Sequence, residues 1–68
     1  MENLEAMTLE EICAWASQNA QDVINGVMSR QECQARTKAI IREYRRRVAL
    51  YRRFGRAALE PGFTPPRS

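Results

Sequence analysis

Apolar side chains in the first half of the chain recur at helical spacing. Leu9, Ile12, Cys13, Ala16, Ala20, Val23 and Ile24 follow one another in steps of three and four, with two adjacent pairs, and fall on one stripe at 3.6 residues per turn. A second stripe runs through Cys33, Thr37, Ile40, Ile41, Tyr44, Val48, Tyr51, Gly55 and Ala58, with Lys38, Arg42, Arg45, Arg46, Arg53 and Arg56 on the opposite side and Arg47 and Arg52 at its edges. No alternation of the strand type interrupts either pattern. The spacing therefore predicts two amphipathic helices, a short one over about residues 9–25 and a long one over about 30–59.

Local punctuation agrees with these limits. Thr8-Leu-Glu-Glu11 and Ser29-Arg-Gln-Glu32 each place a hydroxyl three residues before a carboxylate, the capping-box arrangement that opens a helix. Asn25-Gly26 precedes the second box, and a glycine there can take the left-handed conformation that closes a helix, with Val27 and Met28 folding back as apolar contacts. Met28 before Ser29, with Cys33 beyond it, fits a hydrophobic staple. Pro61, Gly62, Pro65 and Pro66 end any helix, and the tail is too poor in apolar residues to order itself. The expected organisation is a flexible segment over residues 1–7, a helical hairpin over 8–59 and a disordered, proline-bearing tail over 60–68.

A short connection between amphipathic helices makes an antiparallel hairpin the expected fold, all-α. At about 1.5 Å per residue the first helix covers roughly 25 Å and the second roughly 45 Å, so everything from Val48 onward should overhang. Leaving the large apolar side chains there in water forfeits roughly 1.5 to 3 kcal/mol each. Leu4 and Met7 could cover part of this surface; a homodimer in which two hairpins bury each other's overhang is expected to cover the rest. Val48, Tyr51, Gly55 and Ala58 would line that interface.

Length and chemistry narrow the functions. At 68 residues a single core supplies only a few kcal/mol of net stability, and chains of this size usually lean on disulfides, metals or association. Histidine is absent and Cys13 and Cys33 have no metal-ligand spacing, so no metal site and no cofactor is expected. In an antiparallel hairpin turning near Gly26, Cys13 lies opposite about Arg42 and Cys33 opposite about Asp22, too far apart to bridge; both read as buried small hydrophobes. General acid–base work lacks its commonest residue, Glu10 and Glu11 suit a helix N-terminus, and an enzyme or a small-molecule site is not expected. No apolar run is long enough to cross a bilayer and MENLEAM is acidic where a leader would be basic, which points to a cytoplasmic chain with no membrane partner.

Charge divides the chain. Residues 1–28 carry five acidic residues and no base; residues 29–68 carry eleven bases against Glu32, Glu43 and Glu60. Either the halves neutralise one another side by side or the basic half binds a polyanion. The leading expectation is a small non-enzymatic protein-binding module, a regulator, inhibitor or adaptor acting as a homodimer, with Trp15, Leu50 and Phe54 contacting another protein. Short, cofactor-free helical proteins of this plan are common among phage and prophage products, an analogy of architecture. The alternative is an RNA- or DNA-binding regulator using Lys38, Arg42, Arg45, Arg46, Arg52, Arg53 and Arg56.

Overall fold

In the computed structural model, which describes residues 3–66, two α-helices form an antiparallel hairpin, α1 over Leu9–Ile24 and α2 over Arg30–Phe54. Short 3₁₀ turns flank them at Leu4–Ala6 and Arg56–Leu59. Met1, Glu2, Arg67 and Ser68, which belong to the expected terminal segments, lie outside the described residues. The whole measures 47 × 18 × 18 Å, a rod two helices wide.

The first capping box closes as the sequence predicts. The Glu11 amide donates to Thr8 Oγ1 at 3.1 Å and the Thr8 amide donates to Glu11 Oε1 at 2.9 Å. The second closes only by half: the Glu32 amide donates to Ser29 Oγ at 3.1 Å, but the Glu32 carboxylate turns forward to accept from Arg36 Nη2 at 3.3 Å. An arginine one turn ahead outcompetes a neutral backbone donor for a carboxylate. Between the helices, Gly26 takes φ +75°, the Val27 amide donates to the Asp22 carbonyl at 2.8 Å and the Gly26 amide to that of Val23 at 3.1 Å. These are the two bonds of a Schellman ending. Val27 itself does not fold back, and its side chain stands in solvent.

The far end departs from expectation. α2 stops at Phe54, five residues before the expected limit, because Gly55 adopts φ +82° and leaves the helical path. A Cβ at Gly55 would meet nothing within 4 Å, so the glycine serves backbone conformation and not close approach of another helix. The chain then doubles back through the second 3₁₀ turn, which buries Ala58, and Phe63 of the tail sits with its ring centroid 5.7 Å from that of Phe54. The Gly62 amide donates to the Glu5 carbonyl at 2.9 Å, tying the two terminal segments together. Own-chain residues therefore cover part of the overhang, at Phe54 and Ala58, and leave Tyr51 exposed.

The helices also face one another along a different line from the expected one. α1 buries Ile12 and Asn19 with Trp15, Ala16 and Val23 half-buried; α2 buries Glu43 and Arg47 with Arg36, Ile40, Leu50 and Phe54 half-buried. Positions 36, 40, 43, 47, 50 and 54 alternate steps of four and three, one residue off the expected stripe. One residue is about 100° of helix rotation. The apolar arc of each helix is wider than the line along which two cylinders touch, so a hairpin covers one edge of each arc and leaves the other edge outside. Cys13, expected to be buried, is exposed for this reason, and Cys33 is half-buried; both thiols are free.

A candidate interaction face and a buried arginine clasp

Two sites result from that rotation. The first is a polar seam where the expected core would be. The Arg47 side chain, only 1 % exposed, donates from Nε to Glu43 Oε2 at 2.8 Å and from Nη2 to the Leu4 and Met7 carbonyls at 2.8 and 2.6 Å. Arg46 grips the same carboxylate from the rim, Nε to Oε1 at 2.8 Å and Nη2 to Oε2 at 2.6 Å. The carbonyls belong to the segment that precedes α1, so one guanidinium pins the N-terminal residues to the far half of α2. Nearer the turn, Arg36 donates from Nη1 to Asn19 Oδ1 at 2.9 Å and lies over the Trp15 ring at 5.3 Å. Such a cation–ring contact contributes about 0.5–1 kcal/mol where it is partly exposed.

Electrostatics follow from this geometry. The hydrogen bonds from Arg46, opposed by burial and reinforced by Arg47, hold the Glu43 carboxyl below the usual carboxylate range. Arg46 is correspondingly held above its ordinary value by Glu43. Bonds from Thr8 lower Glu11 in the same direction. The seam is not fully satisfied: Arg47 Nη1 and Asn19 Nδ2 are buried with no protein partner. A buried donor left unpaired costs about 1–3 kcal/mol, and buried ion pairs often do no better than apolar packing of the same volume. The hairpin's own seam is therefore a weak source of stability.

The second site is the apolar edge left outside. Tyr44 is 59 % exposed and Ile24 76 %, and Ile41 and Tyr51 are also exposed. On α2 the residues Thr37, Ile41, Tyr44, Val48 and Tyr51 repeat in steps of four and three, a seam of coiled-coil type that is exposed except at the half-buried Val48. On α1 the matching edge carries Cys13, Ala20 and Ile24. Because the helices are antiparallel, these edges lie on the same side of the hairpin. An open groove of about 530 Å³, lined by Ala20, Val23, Ile24, Cys33 and Thr37 with Arg30, Gln34 and Lys38, joins them near the turn. A smaller one, of about 250 Å³, lies between Tyr44, Val48 and Ala49, with Arg45 and Arg52 beside it.

The sequence-predicted residues distribute unevenly over these sites. Trp15 is half-buried beneath Arg36, Phe54 is half-buried against Phe63 of the tail, and Leu50 is half-buried on α2. Of the expected dimer residues, Val48 and Tyr51 lie on the outer face, Gly55 is exposed at the break and Ala58 is 1 % exposed beneath the 3₁₀ turn. Lys38, Arg42, Arg45, Arg52, Arg53 and Arg56 are exposed and, among the described residues, form no ion pair; Arg53 also lies 5.4 Å over the Phe54 ring. Arg46 is committed to Glu43. Sequence reasoning missed Glu43 and Arg47 as buried groups. Their four-residue spacing was visible, but an i, i+4 ion pair usually marks a solvated surface.

Among the described residues no group of three or more Cys, Asp or Glu side chains is placed to hold a metal ion, and no helix is long and apolar enough to cross a membrane. No protein family, no curated protein sequence and no solved structure matches the chain.

Proposed function

We propose that this chain is a non-catalytic protein-binding module that works through the outer apolar face of its hairpin, as a regulator, inhibitor or adaptor. The carrying observation is that five large apolar side chains, Ile24, Val27, Ile41, Tyr44 and Tyr51, are exposed, and that three of them share one helical line on α2. Contiguous apolar surface of that kind on a soluble chain marks a binding site. Tyrosine is also enriched among the residues that dominate binding energy, because a rigid ring adds area at little conformational cost. The absence of histidine and the lack of a base beside either cysteine favour binding over chemistry.

The test places a photoreactive benzophenone side chain at position 44 and, separately, at position 42, which lies on the arginine-bearing side. Irradiation in cells is expected to give protein adducts from position 44 and few from position 42. Equal yields from both, or none from 44, would remove the reading.

A nucleic-acid reading is favoured by one observation, the row of exposed bases Lys38, Arg42, Arg45, Arg52 and Arg53 along the outer side of α2, with Arg56 in the turn that follows. Retention on duplex DNA or RNA that falls steeply with salt would support it, since each phosphate neutralised releases counterions. Retention unchanged by Arg45→Ala and Arg52→Ala would count against it.

A further inference from the structure

From the protein-binding reading above, on which this step rests, we infer that the occupant of the apolar face is a second copy of this chain, seated so that α1 of each copy lies over α2 of the other with both turns at the same end. Two observations select that occupant. First, the face is half of a four-helix bundle: two antiparallel helices present apolar lines on one side, and the missing half has the same shape as the half in hand. The side of the rod, 47 Å long and 18 Å wide, is large enough to hold the ~800 Å² that each partner contributes to a stable interface.

Second, charge decides the orientation. Around the helix wheel the outer border of the face on α2 is the heptad row Lys38, Arg45 and Arg52, while on α1 it is Glu10, Ser17 and Gln21, all exposed. Two hairpins can meet face to face about a two-fold axis that runs either across the helices or along them. An axis across the helices stacks α1 on α1 and α2 on α2, and the two basic rows then confront each other. An axis along the helices stacks α1 on α2. Asn19 sits across from Arg36, and Met7 across from Arg47, so Glu10 lies at the level of Arg45. The second arrangement therefore sets Glu10 of each copy beside Arg45 of the other at the rim. It also superposes α1, which carries three acids and no base, on α2, which carries nine bases and two acids. Opposite charges arranged in this way fix register and exclude the competing orientation.

The experiment has three arms on the full chain. The adduct from the benzophenone at position 44 is expected to have twice the chain's mass. A single adduct with a different protein overturns the second copy as occupant while leaving the protein-binding reading in place; no adduct overturns both. In a Cys13→Ala, Cys33→Ala background, nitroxides on Asn25→Cys are expected within about 20 Å of each other, whereas turns at opposite ends would separate them by more than about 30 Å, given 1.5 Å per residue along α2. The longer distance overturns the orientation. Finally, Glu10→Arg and Arg45→Glu should each weaken self-association roughly three- to tenfold by equilibrium sedimentation, with the double reversal restoring it. Additive weakening in the double variant sinks the Glu10–Arg45 pairing. Far-ultraviolet circular dichroism, which reads helix content directly, separates each of these effects from unfolding.

Discussion

The two ends of the hairpin solve the same problem in opposite ways. At the open end, where α2 outruns α1, the chain buries charge: Arg47 and Glu43 are buried, Arg47 bonds to the N-terminal segment, and Phe63 of the tail packs on Phe54. At the turn end it exposes apolar surface, with Ile24 and Val27 in water and a groove running from Ile24 between the helices. The contrast teaches that burial here follows connectivity more than polarity. Arg47 is buried because the Leu4 and Met7 carbonyls of the segment preceding α1 and the Glu43 carboxylate one turn back on α2 converge on it. Ile24 is exposed because it stands on the outer edge of the last turn of α1, off the line along which the two helices touch.

Removing the clasp should have the largest effect on the open end. Arg47→Met keeps the aliphatic stem but strips the bonds to Leu4, Met7 and Glu43, and is expected to cost about 3 kcal/mol in urea denaturation, enough to unfold much of a chain this small. Unchanged stability would mean that the open end is held by Phe63 and Ala58 alone. Next in size is Gly55→Ala, which forces an alanine into φ +82° or lets α2 run on. A loss of roughly 1–2 kcal/mol is expected. If α2 instead lengthens, helicity by circular dichroism rises and the tail detaches from Phe54.

Acid titrates the same clasp. The folded carboxyl of Glu43 is depressed, so its stabilising contribution is fully present above the unfolded value, about 4.3, and is lost as pH falls through the lower folded value. Stability should decline below about pH 4.5, and part of that decline should vanish in Glu43→Gln. An identical acid limb in the variant would show that the pairing with Arg46 and Arg47 does not couple to folding.

The smallest effect on the isolated hairpin is expected at the other region. Tyr44→Ser removes an exposed ring and should change monomer stability by no more than about 0.5 kcal/mol, measured at high dilution. The same substitution should abolish association at micromolar concentration. A large loss of monomer stability would place Tyr44 inside the hairpin and dissolve the distinction between the two regions.

Much of this architecture was legible in order of locality. The Thr8 box needs only residues eight to eleven, and the Schellman ending at Gly26 only a glycine after a helical stretch, so both could be read directly. The end of α2 could not be read from periodicity, because Gly55 fits the stripe and its positive φ depends on the tail returning to Phe54 and Glu5. Nor could the candidate face be placed. Ile41, Tyr44 and Tyr51 were recognisable as an apolar line, yet whether that line faces α1 or water turns on about 100° of rotation that both settings of the pattern permit.

The sequence by itself determined the helices, their turn and their antiparallel sense, because caps, glycine and 3.6-residue periodicity act over a few residues and owe little to distant contacts. Only the tertiary structure decided which edge of each helix points inward. That choice rests on contacts forty or more residues apart in the chain, Arg47 reaching the Leu4 and Met7 carbonyls. A guanidinium with long reach and several donors can turn a helix toward whatever backbone happens to be near, and no spacing rule along one segment records where that backbone will be.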